Sequence, residues 1–464
     1  MRTNHRAALW AALLAMAAAP AAAQGSSPEP PAEQDTTTVP AAPTVEDLEQ
    51  RIRILERRLE LDREAAATAR ASASTVSAGA DGVKFASADG AYGITLRGYV
   101  QSDGRFFAQG TARSASTLEL RRVRPILEAT IARNFGFRLM TDFGEGRVVV
   151  QDAHLDARIL PFLRVRTGKF KPPVGLERLQ SATALTFVER ALPTALVPNR
   201  DVGIQLWGDF GGGVLGYAAG VFNGVPDGGS ADLDTDGRKE LAGRVFAQPF
   251  RNGSSDLLRG IGVGIAGSTG KEEGIPTATG LAGYRSPGQQ TFFSYRSNGQ
   301  AAGTTVADGD RRRVSPQGWL YYRSIGVIAE HVTSTQQVRR DTVAAELTNT
   351  AWQAAASYVL TGEDASYTGV RPLRSFDPAK GAWGAVELTG RLSALEVDDD
   401  AFPLFADPER SASAAREWAV GVNWYLNRNV KVTVDYGSTR FDGGKAGGDR
   451  QTEQGILTRF QVAF

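Results

Sequence analysis

The chain has 464 residues, with 52 Lys and Arg against 51 Asp and Glu and a formal net charge of +1, so it is neither a polybasic nucleic-acid binder nor a charge-repelled disordered chain. It has no cysteine, which removes disulfides, thiolate-bound metals and thiol nucleophiles, and only His5, His154 and His331 as imidazoles. Past the N-terminus no apolar run approaches the roughly 18 residues that a membrane-crossing helix needs.

Residues 1–23 carry Arg2 and Arg6, an apolar run over 7–18 and the small residues Ala21, Ala22 and Ala23, the pattern of a cleaved secretory signal peptide. Loss of Arg2 and Arg6 leaves 52 − 2 = 50 basic against 51 acidic side chains, so any preference for anions must come from where charges are placed. Residues 24–43 are rich in Pro, Ser, Thr and Glu and predict an extended linker. Over 44–70, Val45, Leu48, Ile52, Leu55 and Leu59 recur at three-four spacing, which predicts a helix able to self-associate as a short coiled coil; a lone amphipathic helix packed on a neighbour is the other reading. An Ala/Ser stretch, 71–82, is expected to be a second linker.

From 83 to 464 the period changes to two. Ile94, Leu96 and Val100 alternate with Thr95, Arg97 and Gln101; Val430, Val432 and Val434 alternate with Lys431, Thr433 and Asp435; Ile456, Phe460, Val462 and Phe464 alternate with Leu457, Arg459, Gln461 and Ala463. A soluble sandwich buries such apolar rows, whereas a membrane barrel turns them to lipid and lines a wet lumen with the polar ones. The signal peptide, the terminal aromatic Phe464 and aromatics such as Trp319, Tyr321, Tyr322, Trp418, Trp424 and Tyr425 near strand ends favour an all-β, antiparallel transmembrane β-barrel preceded by a short coiled-coil helix. Sixteen strands allow roughly 24 residues for each strand and its connection, and fourteen or eighteen fit nearly as well.

Within this pattern lies a block of motifs: Arg121-Arg122-Val123-Arg124-Pro125, Met140-Thr141-Asp142-Phe143-Gly144, Gln151-Asp152-Ala153-His154, the run from Gly168-Lys169-Phe170-Lys171 to Pro172-Pro173-Val174-Gly175, Phe187-Val188-Glu189-Arg190, and Arg200-Asp201-Val202-Gly203. In order and spacing it resembles the phosphate-selective porin O and P family, trimeric sixteen-stranded anion channels of the Gram-negative outer membrane. Arg311-Arg312-Arg313 and Glu330 resemble the family's later strands. The resemblance implies a homotrimer in outer-membrane lipid and lipopolysaccharide, assembled by the barrel assembly machinery through Phe464, passing inorganic anions of the phosphate or polyphosphate class. It also implies that 169–200 folds inward as a constriction. The block departs from the family at Ser181-Ala182-Thr183-Ala184, where members often carry a lysine, which leaves a broader anion channel or a general diffusion porin open.

Alternation places Arg97, Arg122, Arg124, Arg138, Arg158, Arg244, Arg391, Lys431 and Arg459 on polar rows, and Arg121 on the opposite face from Arg122. Guanidinium groups stay charged and present a planar fork of donors, so rings of them select anions, or else pair with lumen carboxylates such as Asp142, Asp156, Glu387 and Asp435. The candidate pore residues are therefore Arg121, Arg122, Arg124, Arg97, Arg138 and Arg158 on strands, with Lys169, Lys171, Arg178, Arg190 and Arg200 from the inward segment. Three other features carry no chemistry. The glycines of 262–267 mimic a dinucleotide motif but alternate with Val263 and Ile265 as a strand. Asp232, Asp234 and Asp236 begin a calcium-loop pattern that ends on Gly243 where a Glu is needed. His154 and His331 lack catalytic companions, so the reading has no enzyme, cofactor, metal or nucleic acid in it. Alternatives are a secreted soluble β-protein binding anionic ligands and a structural tether whose coiled coil holds the cell wall.

Overall fold

A computed structural model describes residues 44–108, 110 and 115–464. The expected signal peptide (1–23) and Pro-rich linker (24–43) lie outside the described residues. Helix α1 spans Val45–Ser72. Thr44 caps it: the Asp47 amide donates to Thr44 Oγ1 at 3.2 Å while the Thr44 amide donates to Asp47 Oδ2 at 3.2 Å, which satisfies two otherwise orphaned donors. Its apolar stripe of Leu48, Ile52, Leu55 and Leu59 is exposed.

The strands follow in order: β1 Thr75–Gly79, β2 Gly82–Ala86, β3 Gly93–Phe107, β4 Thr117–Ile131, β5 Phe135–Asp142, β6 Val149–Leu160, β7 Leu163–Phe170, β8 Asp201–Phe210, β9 Leu215–Phe222, β10 Glu240–Ala247 and β11 Ile261–Glu273. They continue as β12 Tyr284–Arg285, β13 Thr291–Phe293, β14 Thr305–Tyr322, β15 Ile325–Arg340, β16 Val343–Val359, β17 Ala385–Glu396, β18 Ala412–Tyr425, β19 Val430–Lys445, β20 Gly448–Asp449 and β21 Glu453–Ala463. Sixteen of them form a closed antiparallel barrel, from β3 through β11, then β14 through β19, then β21, which pairs back onto β3 from Gly455↔Phe107 to Ala463↔Tyr99. Phe464 extends this seam, exchanging backbone hydrogen bonds with Gly98 at 2.8 and 2.9 Å. Closure matters because an open edge would leave a row of unpaired amides in lipid.

The 71–82 stretch is not a linker. Its small residues form β1 and the hairpin turn to β2, and β2 pairs with residues 93–96 of β3, the part that β21 does not reach. Gly82 makes that turn with φ +97, a conformation that side chains disfavour.

Side chains are distributed inside out relative to a soluble sheet. Leu96, Val100, Ile204, Leu206, Val420, Val422, Ile456 and Phe460 are exposed on the outer face, while Gln101, Asp103, Asn349, Gln353, Asn423 and Arg459 are buried on the inner one. This arrangement is stable only when the outer face meets lipid. Three of the expected belt aromatics turn inward instead: Trp319 packs on Phe246 at 4.2 Å, Tyr321 joins the same cluster, and Tyr425 donates to Glu387 at 2.8 Å. The glycines of β11 permit this, since a Cβ on Gly262 would come within 2.6 Å of both Phe246 and Trp319.

Short turns join most strands at the end where Phe464 closes the barrel, and longer connections lie at the other. Three connections enter the lumen. The first, 171–200, follows β7; Pro172, Pro173, Pro193 and Pro198 deny it a ladder, and it forms only single turns at Leu176–Leu179 and Leu192–Ala195. Its backbone groups must then be satisfied otherwise, and the wall from β15 to β21, with β3, supplies the partners. Glu330 accepts from the Leu176 amide at 2.6 Å and Asp435 from the Val188 amide at 2.5 Å. Gln101, Asn423, Lys431 and Gln461 donate to the carbonyls of Ala182, Thr186, Leu185 and Thr183 at 3.0, 2.8, 2.6 and 3.1 Å. The second, 360–384, rises from the short-turn end: Tyr367 stacks on Trp319 at 4.7 Å and donates to Leu176 O at 2.6 Å. The third, 274–304, descends from the opposite end, where Ser286 donates to Glu453 at 2.9 Å.

Candidate functional site

These insertions fill the lumen against one wall and leave a cavity of about 1630 Å³ along the other, from β3 to β10. Its lining reaches from Asp81, Arg97 and Phe464 at the short-turn end to Asp227, Ser286 and Gln289 at the other, so it passes the length of the barrel. Fourteen Arg and Lys line it against eight Asp and Glu, an excess of six positive charges in a chain whose overall charge is +1.

Arg121, Arg122 and Arg124 all face this cavity. Strict alternation would put Arg121 outside. Between Gln101↔Arg122 and Ser102↔Leu120 the register slips by one, so Arg121 is the extra residue of a β-bulge and turns inward beside Arg122. Glu189, carried in by the constriction segment and buried, gathers them. It accepts from Arg121 Nε at 2.6 Å and Arg105 at 3.3 Å, and lies 3.6 Å from Arg122 and 3.8 Å from Arg459. Burial alone would raise its pKa, but Arg121, Arg122 and Arg459 hold it well below the usual carboxylate range. Arg124 donates to Asp142 at 2.7 Å and to the Tyr99 hydroxyl at 2.8 Å.

Facing this arginine wall, the segment presents Lys171, Arg178, Arg190 and Arg200. Arg200 pairs with Asp152 at 3.0 Å. The other three have, among the described residues, no carboxylate within salt-bridge distance. Lys171 Nζ donates to the carbonyls of Arg178 and Gln180 at 2.7 and 3.0 Å; Arg190 donates to those of Glu177 and Gln180 at 3.1 and 2.8 Å; Arg178 donates to Thr194 O. Carbonyls fix these cations without cancelling their charge. Burial, then Arg190 and Arg200, push Arg178 down to about 9, and burial with the same neighbours lowers Lys171.

Arg97 and Arg138 also line the cavity, both bonded to Glu128. Two expected members do not. Arg158 keeps the inward parity but sits exposed at the end of β6, where the turn to β7 carries it off the lumen wall. Lys169 is buried in an ion pair with Asp232, outside the lining. Arg391, Lys431 and Arg459 point inward as expected but lie beneath the inserted segments: Arg391 donates to Glu189 O at 2.8 Å and pairs with Glu417 at 2.7 Å, and Arg459 pairs with Asp103 at 2.6 Å. Sequence reasoning missed the central position of Glu189, although the Phe187-Val188-Glu189-Arg190 motif holds it, and also missed Arg105 and Arg166.

A family model described as Phosphate-selective porin O and P matches residues 94–464. Porin O of Pseudomonas aeruginosa is 23% identical over 426 residues, which cover 86% of this chain and 96% of that protein. Among solved structures, in-vitro folded OmpT of Vibrio cholerae aligns with a TM-score of 0.52 at 10% identity, over 81% of this chain and 98% of that one. The anion-selective porin from Comamonas acidovorans aligns with a TM-score of 0.50 at 12% identity, over 80% of this chain and 100% of that one. These two share the barrel fold.

Proposed function

The chain belongs to the phosphate-selective porin O and P family, an anion porin of the bacterial outer membrane and not an enzyme, and from that premise we propose that it passes small inorganic anions of the phosphate class through a constriction lined by Arg121, Arg122, Arg124, Lys171, Arg178, Arg190 and Arg200. One observation carries the reading: the excess of six positive charges on the cavity wall, including three cations held by carbonyls alone. An anion entering between the arginine wall and the inward segment relieves repulsion that the protein leaves uncompensated, and the fork geometry of arginine suits phosphate oxygens. Because Arg121 to Arg124 retain carboxylate partners, each site binds weakly enough to release, as conduction requires. Arg97 and Arg138 lead toward the constriction from the short-turn end.

Reversal potentials across planar bilayers in a KCl gradient test this. The wild type is expected to be anion-selective, with chloride current reduced by millimolar phosphate, and Arg121→Gln with Arg122→Gln is expected to weaken both. Cation selectivity in the wild type would sink the proposal. Anion selectivity without any phosphate effect favours a general anion porin, a reading that Ser181 to Ala184, which lack the lysine of other members, supports.

The same premise supports a homotrimer embedded among lipid and lipopolysaccharide, delivered by a signal peptide over 1–23 and assembled through Phe464; one solved OmpT with this fold is described as a trimer form. The exposed stripe of α1 suits a coiled coil between subunits.

A further inference from the structure

The short-turn half of the cavity carries a second feature on the strands β7 to β10. Arg164, Trp207, Ala218 and Arg244 stand in register across four successive strands, Arg164↔Trp207, Trp207↔Ala218 and Ala218↔Arg244. The guanidinium carbons of Arg164 and Arg166 lie 4.6 and 5.0 Å from the indole centroid of Trp207. The cross-strand neighbour on its other side, Ala218, brings only a methyl group, and Trp207, Ala218 and Arg244 all line the cavity. Arg244 donates Nε to Gln317 at 3.1 Å and lies 4.5 Å over Phe246, and among the described residues no carboxylate pairs with it. Three buried polar atoms of this patch have no hydrogen-bond partner: Arg164 Nε, Gln205 Oε1 and Trp207 Nε1. A lumen row built merely to fill space would pair these groups and close the gap at Ala218.

At roughly 4.8 Å per strand, Trp207 and Arg244 stand about 10 Å apart, room for one aromatic ring with a carboxylate on its edge. We propose that this rung is a binding site for planar aromatic monoanions of the aryl carboxylate class. The ring lies over Ala218 against Trp207, and the carboxylate takes the two terminal nitrogens of Arg244. Stacking on an electron-rich indole that two cations already polarise gives the preference for an aromatic over an aliphatic anion of equal charge. The proposal rests on the cavity being the anion path and adds a solute class to it.

The test is block of KCl conductance in planar bilayers by benzoate, with cyclohexanecarboxylate as a control of the same charge and similar size. Benzoate is expected to half-block at a concentration at least fivefold lower. Trp207→Leu, which removes the indole, and Ala218→Leu, which fills the gap, are each expected to bring the two blockers to equality, and Trp207→Leu to leave the KCl-gradient reversal potential unchanged. Equal block by the two anions in the wild type, or a benzoate preference that survives in both variants, overturns the site. A wild type that blocks with benzoate preference yet shows no anion-selective reversal potential overturns the anion-path reading and leaves the site standing.

Discussion

Replacing Glu189 by Gln tests the electrostatics of the constriction more sharply than removing any single arginine. Its carboxylate contacts Arg121 at 2.6 Å and Arg105 at 3.3 Å, with Arg122 and Arg459 within 3.8 Å, and Gln preserves the shape and one acceptor. The substitution deletes one negative charge from a wall that carries fourteen basic and eight acidic side chains. An ion passing about 8 Å away feels a change of about 0.5 kcal/mol at the dielectric constant of water and about 2 kcal/mol at an effective value of 20. The lower figure applies to a wet pore. Anions gain it and cations lose it, so the anion-to-cation permeability ratio rises by about fivefold, since about 1.4 kcal/mol corresponds to tenfold. Reversal potential in a KCl gradient at low ionic strength, where screening is weakest, measures this, with heat-modifiable migration in detergent gels confirming that the barrel has formed. An unchanged potential, or one moved toward cation selectivity, refutes the assignment of this cluster to the pore. The direction of the Glu189 pKa adds a second reading. A carboxyl held below its ordinary range in the folded protein stays ionised from pH 7 to pH 5 and is neutralised only at lower pH, so the shift caused by Glu189→Gln is expected to be the same at pH 7 and pH 5.

Other expectations follow from the same geometry. Arg121→Gln combined with Arg122→Gln lowers the anion-to-cation ratio by at least about fivefold, opposite in sign to Glu189→Gln, by the same reversal-potential assay. Tyr367→Ala removes the stack on Trp319 and the bond to Leu176 O, opens the short-turn side of the constriction, and raises single-channel conductance; unchanged conductance would place 360–384 outside the conducting path. Lys171→Met leaves the carbonyl of Arg178 without its donor, while that of Gln180 keeps Arg190, at a cost of roughly 1–3 kcal/mol for the group left unpaired, and should speed amide hydrogen exchange over residues 176–184 while the barrel strands stay protected.

The barrel was legible because period two, read on either face, is a local property: Val430 to Tyr436 and Ile456 to Phe464 carry it without knowledge of their neighbours. The inward segment was legible from its prolines and its motif. What escaped depends on partners distant in sequence. Arg158 and Arg138 share a polar row, yet only the position of the β6–β7 turn tells that Arg158 leaves the lumen. Trp319 and Tyr425 look like belt residues until Phe246, Tyr367 and Glu387 appear beside them. Lys169 lies among true lining residues in sequence, and its partner Asp232 arrives from a loop more than sixty positions later. Residues 71–82 read as a linker because Ala and Ser have no strong pattern; they become strand because β3 overhangs its closing partner and needs one.

The bulge at Arg121 sets a reading frame for the lipid. Beyond it toward the longer connections, Leu118 and Leu120 face outward at 76% and 56% exposure, and Glu119 faces inward; before it, Arg122 and Arg124 face inward. The two halves of β4 are thus in opposite phase, and one residue holds them so. Substituting Arg121 changes a charge and leaves the phase intact. Deleting it removes the extra residue and joins Leu120 directly to Arg122, so that the pairs Ser102↔Leu120 and Gln101↔Arg122 become consecutive rungs while Glu119 still faces the lumen and both leucines still face lipid. A chain lacking Arg121 is therefore expected to keep the heat-modifiable barrel, as Arg121→Ala does, with β4 straightened at that point and Glu189 short of one cation; loss of the barrel on deletion would show that the strand needs its bulge for length and not for the charge it turns inward.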